Sequence, residues 1–202
     1  KKQFQLSNDS IVLFVTGSGT LANEIVLFSS SLTPIVSTTG EFSRRIKQTS
    51  EFHHRNPTNS KLFTGVCYET ADSKKFDFYK SDFVDCVSSF PYYAPEGKIW
   101  TTVTSKQLGA ITGLSVIVVK DRETFDNVFA GEEPTYLSIR RYFDKAQYFQ
   151  TPNTPNIHGL MDLKKQLESF NLEEHILKIN TRRTMIKMLC NLKGIEVYGD
   201  GP

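Results

Sequence analysis

Ile11-Val12-Leu13-Phe14-Val15-Thr16-Gly17-Ser18-Gly19-Thr20-Leu21-Ala22-Asn23-Glu24-Ile25-Val26-Leu27-Phe28 is the stretch that decides how this chain folds. An apolar run, a glycine-serine turn and a helical-looking segment follow one another without a gap, so it reads as strand, tight turn and helix start. Such a junction aims several free backbone N–H groups, and the positive end of the helix dipole, at one spot just outside the sheet. A phosphate suits that spot, and Ser18 and Thr20 can each add a hydroxyl donor. An ordinary helix N-cap with a convenient glycine is satisfied by the same residues. Taken alone, the stretch leaves both readings open.

Outward from it, apolar runs bounded by turn residues recur, with helical stretches between some of them. Strands are expected at 11–16, 34–38, 61–67, 82–87, 99–104 and 114–119, and helices at 19–30 and about 42–52. That alternation predicts an α/β fold with a mostly parallel, buried sheet. Short helices are expected near 121–128 and 135–144. Leu160, Leu163, Leu167 and Phe170 then recur at helical spacing, and a long helix covers about 173–192. Thr151-Pro152-Asn153-Thr154-Pro155 cannot be helical throughout and reads as a linker. A large α/β domain over 1–145 and a small helical part over 146–202 are therefore expected, with a last short strand at Ile195-Glu196-Val197-Tyr198. Ala71-Asp72-Ser73-Lys74-Lys75-Phe76-Asp77-Phe78 is too short and too poorly patterned for a full crossover helix, so that connection reads as trimmed.

Composition excludes several classes of function. A net charge of +2 over 202 residues, with Arg44-Arg45, Lys74-Lys75, Arg140-Arg141 and Arg182-Arg183 scattered, argues against nucleic acid as the main partner. The three cysteines Cys67, Cys86 and Cys190 have no metal-like spacing, and the four histidines are not arranged as ligands, so no metal is expected. No apolar segment approaches spanning length and no signal peptide opens the chain, from which a soluble, cytoplasmic protein is expected.

Two residues carry candidate chemistry. Lys106 lies just past the strand expected at 99–104, on the side of an α/β sheet where ligands usually bind. It reads either as an amine able to condense with an aldehyde or as a surface lysine. Asp85 ends the apolar Phe83-Val84-Asp85 run, where a carboxylate is expensive to bury without a cationic partner; it could also be a turn cap. A phosphate turn, an acid at a strand end and a later lysine correspond to the phosphate, ring nitrogen and aldehyde of pyridoxal 5'-phosphate.

In order and wording these segments resemble the class V aminotransferases of the fold type I pyridoxal-phosphate enzymes, closest to the 2-aminoethylphosphonate, alanine–glyoxylate and serine–glyoxylate branch. The match runs over most of the chain. The family's G-S-G-T and following glutamate correspond to Gly17-Ser18-Gly19-Thr20 and Glu24. Its G-x-[FWY] corresponds to Gly40-Glu41-Phe42, which implies that Phe42 covers the cofactor ring. Its E-[ST] corresponds to Glu69-Thr70, implying a Thr70 contact to the phenolic oxygen. Its D-x-V-[SA]-S corresponds to Asp85-Cys86-Val87-Ser88-Ser89, implying that Asp85 pairs with the pyridinium nitrogen and that Val87 borders the ring. Ser105 and Lys106, followed by Thr112-Gly113-Leu114-Ser115, correspond to the Schiff-base lysine and its surroundings. Tyr148 and Thr151 correspond to a Y-x-x-T that reaches the neighbouring phosphate in a dimer.

What the resemblance implies is a seven-stranded-type sheet, a homodimer, and transfer of an amino group from an amino acid or aminophosphonate to a 2-oxo acid or aldehyde through a Lys106 Schiff base. The alternative is a reduced, non-catalytic relative kept for binding or assembly. Desulfurases of the same fold usually carry His before the lysine and over the ring, where this chain has Ser105 and Phe42. Ser105 also departs from the family's S-Q-K or S-x-K context, and Thr112 from its P-G segment. Family members begin earlier, with an arm over the site, and continue to an arginine for the substrate carboxylate. This chain runs from Lys1 to Pro202 without a residue at that arginine position, and Arg44, Arg55, Arg140 and Arg141 stand unassigned as substitutes. His53-His54 is expected to be a helix-end pair.

Overall fold

A computed structural model of the chain describes residues 4, 6–54, 58–76, 81–95, 97–131 and 135–197. Strand β1 (Ile11–Thr16) leads through the glycine turn into helix α1 (Gly19–Ser29), and β2 (Thr33–Val36) leads into α2 (Glu41–His53). After β3 (Lys61–Val66) come a small hairpin, β4 (Tyr68–Glu69) and β5 (Lys74–Lys75), and then β6 (Phe83–Asp85), β7 (Ile99–Val103) and β8 (Leu114–Val119). Four helices follow: α3 (Arg122–Val128), α4 (Ile139–Ala146), α5 (Ile157–Ser169) and α6 (Leu172–Leu192).

Six strands form one sheet in the order β1-β8-β7-β6-β3-β2. The pairs among β2, β3, β6 and β7 are parallel, whereas β8 runs antiparallel to both β7 and β1. Five strands therefore point one way and one is reversed. Every residue of β7 and β8 is buried, as in a sheet covered on both faces. Side-chain alternation along β8 divides the core into two layers. Ile117 and Val119 join Leu13, Val15, Ile25, Phe125 and Phe129 on the face covered by α1. Leu114, Val116 and Val118 join Trp100, Phe90 and Leu163 of α5 on the other, with Leu160, Leu167 and Phe170 packed against them.

Three expectations change. Among the described residues the sheet has the six strands expected from the apolar runs, where the resemblance implied a seven-stranded type; residues 68–75 pair with one another as a separate hairpin, its Lys74 and Lys75 exposed. This hairpin also replaces the crossover helix in the connection that reads as trimmed; residues 77–80 lie outside the described residues. Ile195, Glu196 and Val197 form no strand and are exposed, with no strand edge among the described residues paired to them, and Tyr198 lies outside the described residues. The helix expected at 135–144 starts later, at Ile139, where Ser138 precedes it as the N-cap residue.

Candidate functional site

The carboxyl ends of β1, β3, β6 and β7 and the amino end of the reversed β8 meet at one edge of the sheet, beside the amino end of α1. Between them lies a cavity of about 450 Å³ bordered by Gly17–Thr20, Phe42, Asp85, Val87, Ser105 and Lys106. In open α/β sheets this edge is where ligands bind. The glycine turn is fixed from both sides. Gly17 N–H donates to Gly113 O at 3.0 Å, and Leu21 N–H donates to Ser18 Oγ at 3.3 Å as an N-cap. Gly17 has φ 154°, and a Cβ there would lie 2.5 Å from Leu21 Cδ2. Gly19 faces Val87 in the same way, a Cβ meeting its Cγ2 at 2.5 Å. The turn packs this closely only because both positions lack a side chain.

Asp85 lies on the floor, 5% exposed. Its Oδ1 accepts the Val87 N–H at 2.8 Å and its Oδ2 accepts Asn23 Nδ2 at 2.7 Å, while Asn23 Oδ1 accepts a short bond from the Thr101 hydroxyl. Burial raises the Asp85 pKa above its ordinary value. The Val87 and Asn23 hydrogen bonds and the charge of Lys106 pull it down without offsetting burial, and the charge of Glu69 adds to the rise. Among the described residues Asp85 has no ion-pair partner. A buried carboxylate with two neutral donors and an open cavity before it is a receptor for a cation.

Phe42 and Lys106 form the outer wall, the Lys106 Nζ 5.9 Å from the Phe42 ring centroid. Phe42 is held through its backbone. Glu69, fully buried, accepts the Phe42 N–H at 3.0 Å and the Ser43 N–H at 2.8 Å, taking the place of the cap that Gly40 has no side chain to supply. A Cβ on Gly40 would stand 2.5 Å from Glu69 Cδ. Lys106 is carried on a loop closed at both ends, by Ala110 N–H to Thr104 O at 3.0 Å and Thr104 N–H to Leu114 O at 3.1 Å. Gly109 lets this loop turn, at φ 73°.

Thr70, Tyr148 and Thr151 are not brought to this cavity. Tyr68 and Glu69 are both buried in β4, and Thr70, the next residue, falls in the exposed hairpin turn. Tyr148 is 74% exposed in the turn after α4, and Thr151 is exposed, its hydroxyl donating to Asn153 O at 2.7 Å. Of the arginines considered as substitutes, Arg44, Arg140 and Arg141 do not line the cavity and Arg55 lies outside the described residues. Arg45 does line it, its Nε bonded to Glu41 Oε1 at 2.9 Å. Glu24 also lines the cavity and sits 3.0 Å from Nε2 of His53, the last residue of α2. Sequence reasoning missed Asn23, Thr101, Glu69 and Arg45 as parts of the site. Asn23 alone carried a signal, a lone amide among Leu21, Ala22, Ile25 and Val26 on a helix otherwise apolar at those places. Among the described residues no group of three metal-ligating side chains occurs, and no helix is long and apolar enough to cross a membrane.

No family model matches the chain, and no curated protein matches it in sequence. Solved structures do match. Alanine–glyoxylate aminotransferase from Nostoc sp. superposes with a TM-score of 0.78 at 12% identity, over 98% of this chain and 64% of that one. Phosphoserine aminotransferase from Cytophaga hutchinsonii gives 0.69 at 22% identity, over 82% and 56%. The pyridoxal-phosphate-bound phosphoserine aminotransferase from Trichomonas vaginalis gives 0.67 at 14% identity, over 87% and 58%. The chain spans less than two thirds of the length of each. Its fold is that of the fold type I pyridoxal-phosphate-dependent transferases.

Proposed function

We propose that the cavity holds pyridoxal 5'-phosphate and that the chain belongs to an aminotransferase of the class V type, moving an amino group from an amino acid or aminophosphonate to a 2-oxo acid or aldehyde. The observation that carries this reading is the placement of the buried, unpaired Asp85 and the amine of Lys106 around one cavity that also receives the amino end of α1. The residues fit the group. Phosphate would meet the first-turn N–H groups of α1 and the hydroxyls of Ser18 and Thr20. Asp85 would pair with a protonated ring nitrogen, a cation that reverses the penalty of its burial. Phe42 offers a flat apolar face.

When bound, the cofactor supplies an aldehyde carbon for amines and a ring that takes up the electron pair released at the substrate α-carbon. Among the described residues Lys106 is the one amine that lines the cavity, and it would hold the cofactor's aldehyde end and serve as the base and acid for the substrate's α-proton. Asp85 would hold the cofactor's ring nitrogen in its protonated form, the form in which the ring best accepts electrons. Val87 and Leu114 keep the floor apolar beside it. Tyr148 and Thr151, exposed and away from the cavity, take part on this reading only across an interface with a second copy of the chain.

Titration of the purified protein with pyridoxal phosphate tests the reading. A visible absorbance band that grows with added cofactor, is absent in Lys106→Ala and is discharged by amino compounds supports an aminotransferase. A band that no amino compound discharges supports the non-catalytic relative, and no band in the unaltered protein overturns the cofactor assignment and leaves the relative kept for assembly.

A further inference from the structure

Gln107 follows Lys106 directly and turns away from the cavity into the loop after β6. Its Oε1 accepts the Tyr92 N–H at 3.2 Å, and its Nε2 donates to Ser88 O at 2.7 Å. Nε2 of His175, on α6, approaches the same Oε1 at 3.4 Å. One side-chain amide thus spans two segments that the sheet does not join at this level, because β6 ends at Asp85 and β7 at Val103. Beyond those ends the two loops have no ladder between them, and Lys106 stands on one and Asp85, Val87 and Ser88 on the other.

Ser88 is itself tied down. Its hydroxyl donates to Tyr68 O at 3.0 Å, and the adjoining Val87 N–H is the one bonded to Asp85 Oδ1. The chain of contacts runs from the Lys106 backbone through the Gln107 amide to Ser88, and from its neighbour Val87 to the Asp85 carboxylate. Both loops also carry the residues whose separation matters, since the amine must work on one end of a ligand and the acid on the other. An amide suits this link, because it satisfies an N–H and a carbonyl at once and is fixed in a plane.

We propose that Gln107 is a positioning residue that sets the location of the Lys106 amine relative to Asp85. The inference rests on the reading that Lys106 and Asp85 serve one ligand, but the distance between the loops is a property of the protein alone. Loss of the amide frees the Lys106 loop from the Ser88 loop while leaving both strand ends, and the fold, in place. Positioning errors of this kind are costly because a reacting amine has to be held at near-contact distance from its target.

The test is made first on protein without cofactor, with Gln107→Leu and the isosteric Gln107→Glu, which keeps an acceptor for Tyr92 but loses the donor to Ser88. Lys106 is labelled with trinitrobenzenesulfonate over a pH series and quantified by peptide mass spectrometry, with Lys98, at the opposite end of the sheet, as internal reference. Both variants are expected to change the Lys106 rate relative to Lys98 by about threefold or more. With pyridoxal phosphate added, the pH midpoint of the visible band is expected to move as well. Folded variants, judged by an unchanged circular dichroism spectrum, that label Lys106 as the unaltered protein does would overturn the proposal. Should the Gln107→Leu variant not fold, Gln107→Met, which removes the amide without adding a charge, decides in its place. If the unaltered protein binds no cofactor, the labelling ratio still reads Gln107, so failure of the cofactor assignment and failure of this one are told apart.

Discussion

Asn23 stands between Thr101 and Asp85, accepting from the first and donating to the second at 2.7 Å. With the Val87 N–H, it is one of the two neutral donors that make a buried carboxylate tolerable before any ligand arrives. Replacing it with Leu leaves Asp85 Oδ2 without its donor, at a cost of roughly 1–3 kcal/mol to folding. The Asp85 pKa should rise further, because a group that lowers it is gone. Weaker binding of pyridoxal phosphate by about tenfold, or 1.4 kcal/mol, is expected. Denaturant unfolding and a cofactor titration of Asn23→Leu check the two effects separately.

The raised Asp85 pKa sets a direction for stability against pH. In the folded state Asp85 holds its proton above the 3.8 of a free aspartate, where the unfolded chain has released it. The cofactor-free protein should therefore lose stability as pH rises from about 4 through the folded-state value, and the loss should stay constant above it. Exposed carboxylates with lowered values, such as Asp126 beside Arg122, act in the opposite sense, so the contribution has to be isolated. The stability of Asp85→Asn minus that of the unaltered protein should grow with pH across this window. A difference that stays flat from about pH 4 to 8 would show that Asp85 ionises normally.

Glu69 caps α2 with both of its oxygens, and Phe42 hangs on one of those bonds. Glu69→Gln replaces one acceptor by a donor that faces a backbone N–H, which should cost about 1–3 kcal/mol. Glu69→Ala should cost at least as much. Hydrogen exchange at Phe42 and Ser43 should speed up in both, and an unchanged exchange rate would mean that the helix start is held by something else.

Ser18 caps α1, and the phosphate-donor role proposed for it can be separated from that task. As the cap of α1 its loss should cost about 1 kcal/mol of stability, since its Oγ accepts the Leu21 N–H. As a phosphate donor its loss should weaken pyridoxal phosphate but leave pyridoxal, which lacks the phosphate, unaffected. Comparing both ligands on Ser18→Ala gives the answer. Equal weakening of the two would place the phosphate elsewhere.

Much of this was legible in the sequence because it is written locally. Strand, turn and helix follow one another at residues 11–29, so the glycine turn and its Ser18 cap were readable from neighbours alone. Asp85 and Lys106 stood out because a charge at the end of an apolar run is unusual in itself. Glu69 did not stand out, since its task depends on a Gly40 that meets it only through the pairing of β2 with β3. Asn23 and Thr101 are joined by the packing of α1 on β7, and no spacing rule connects them. The six strands of the sheet were legible as apolar runs between turn residues, whereas the β4–β5 hairpin was not, because two-residue strands that close only on each other leave no such run.

The reversed strand has a consequence for how the protein comes to exist. Among the described residues β1 sits at the sheet's margin and has β8 as its one ladder neighbour, Ile11 facing Val119 and Thr16 facing Leu114. The first strand of this sheet to leave the ribosome must therefore wait for the last before it can be hydrogen-bonded. Contacts so distant along the chain are slow to form. Until β8 slots between β1 and β7, the Gly17 N–H has no Gly113 carbonyl to bind, and the glycine turn remains an unfastened loop. During synthesis, the part of the chain that is most distinctive on paper is among the last to acquire its shape.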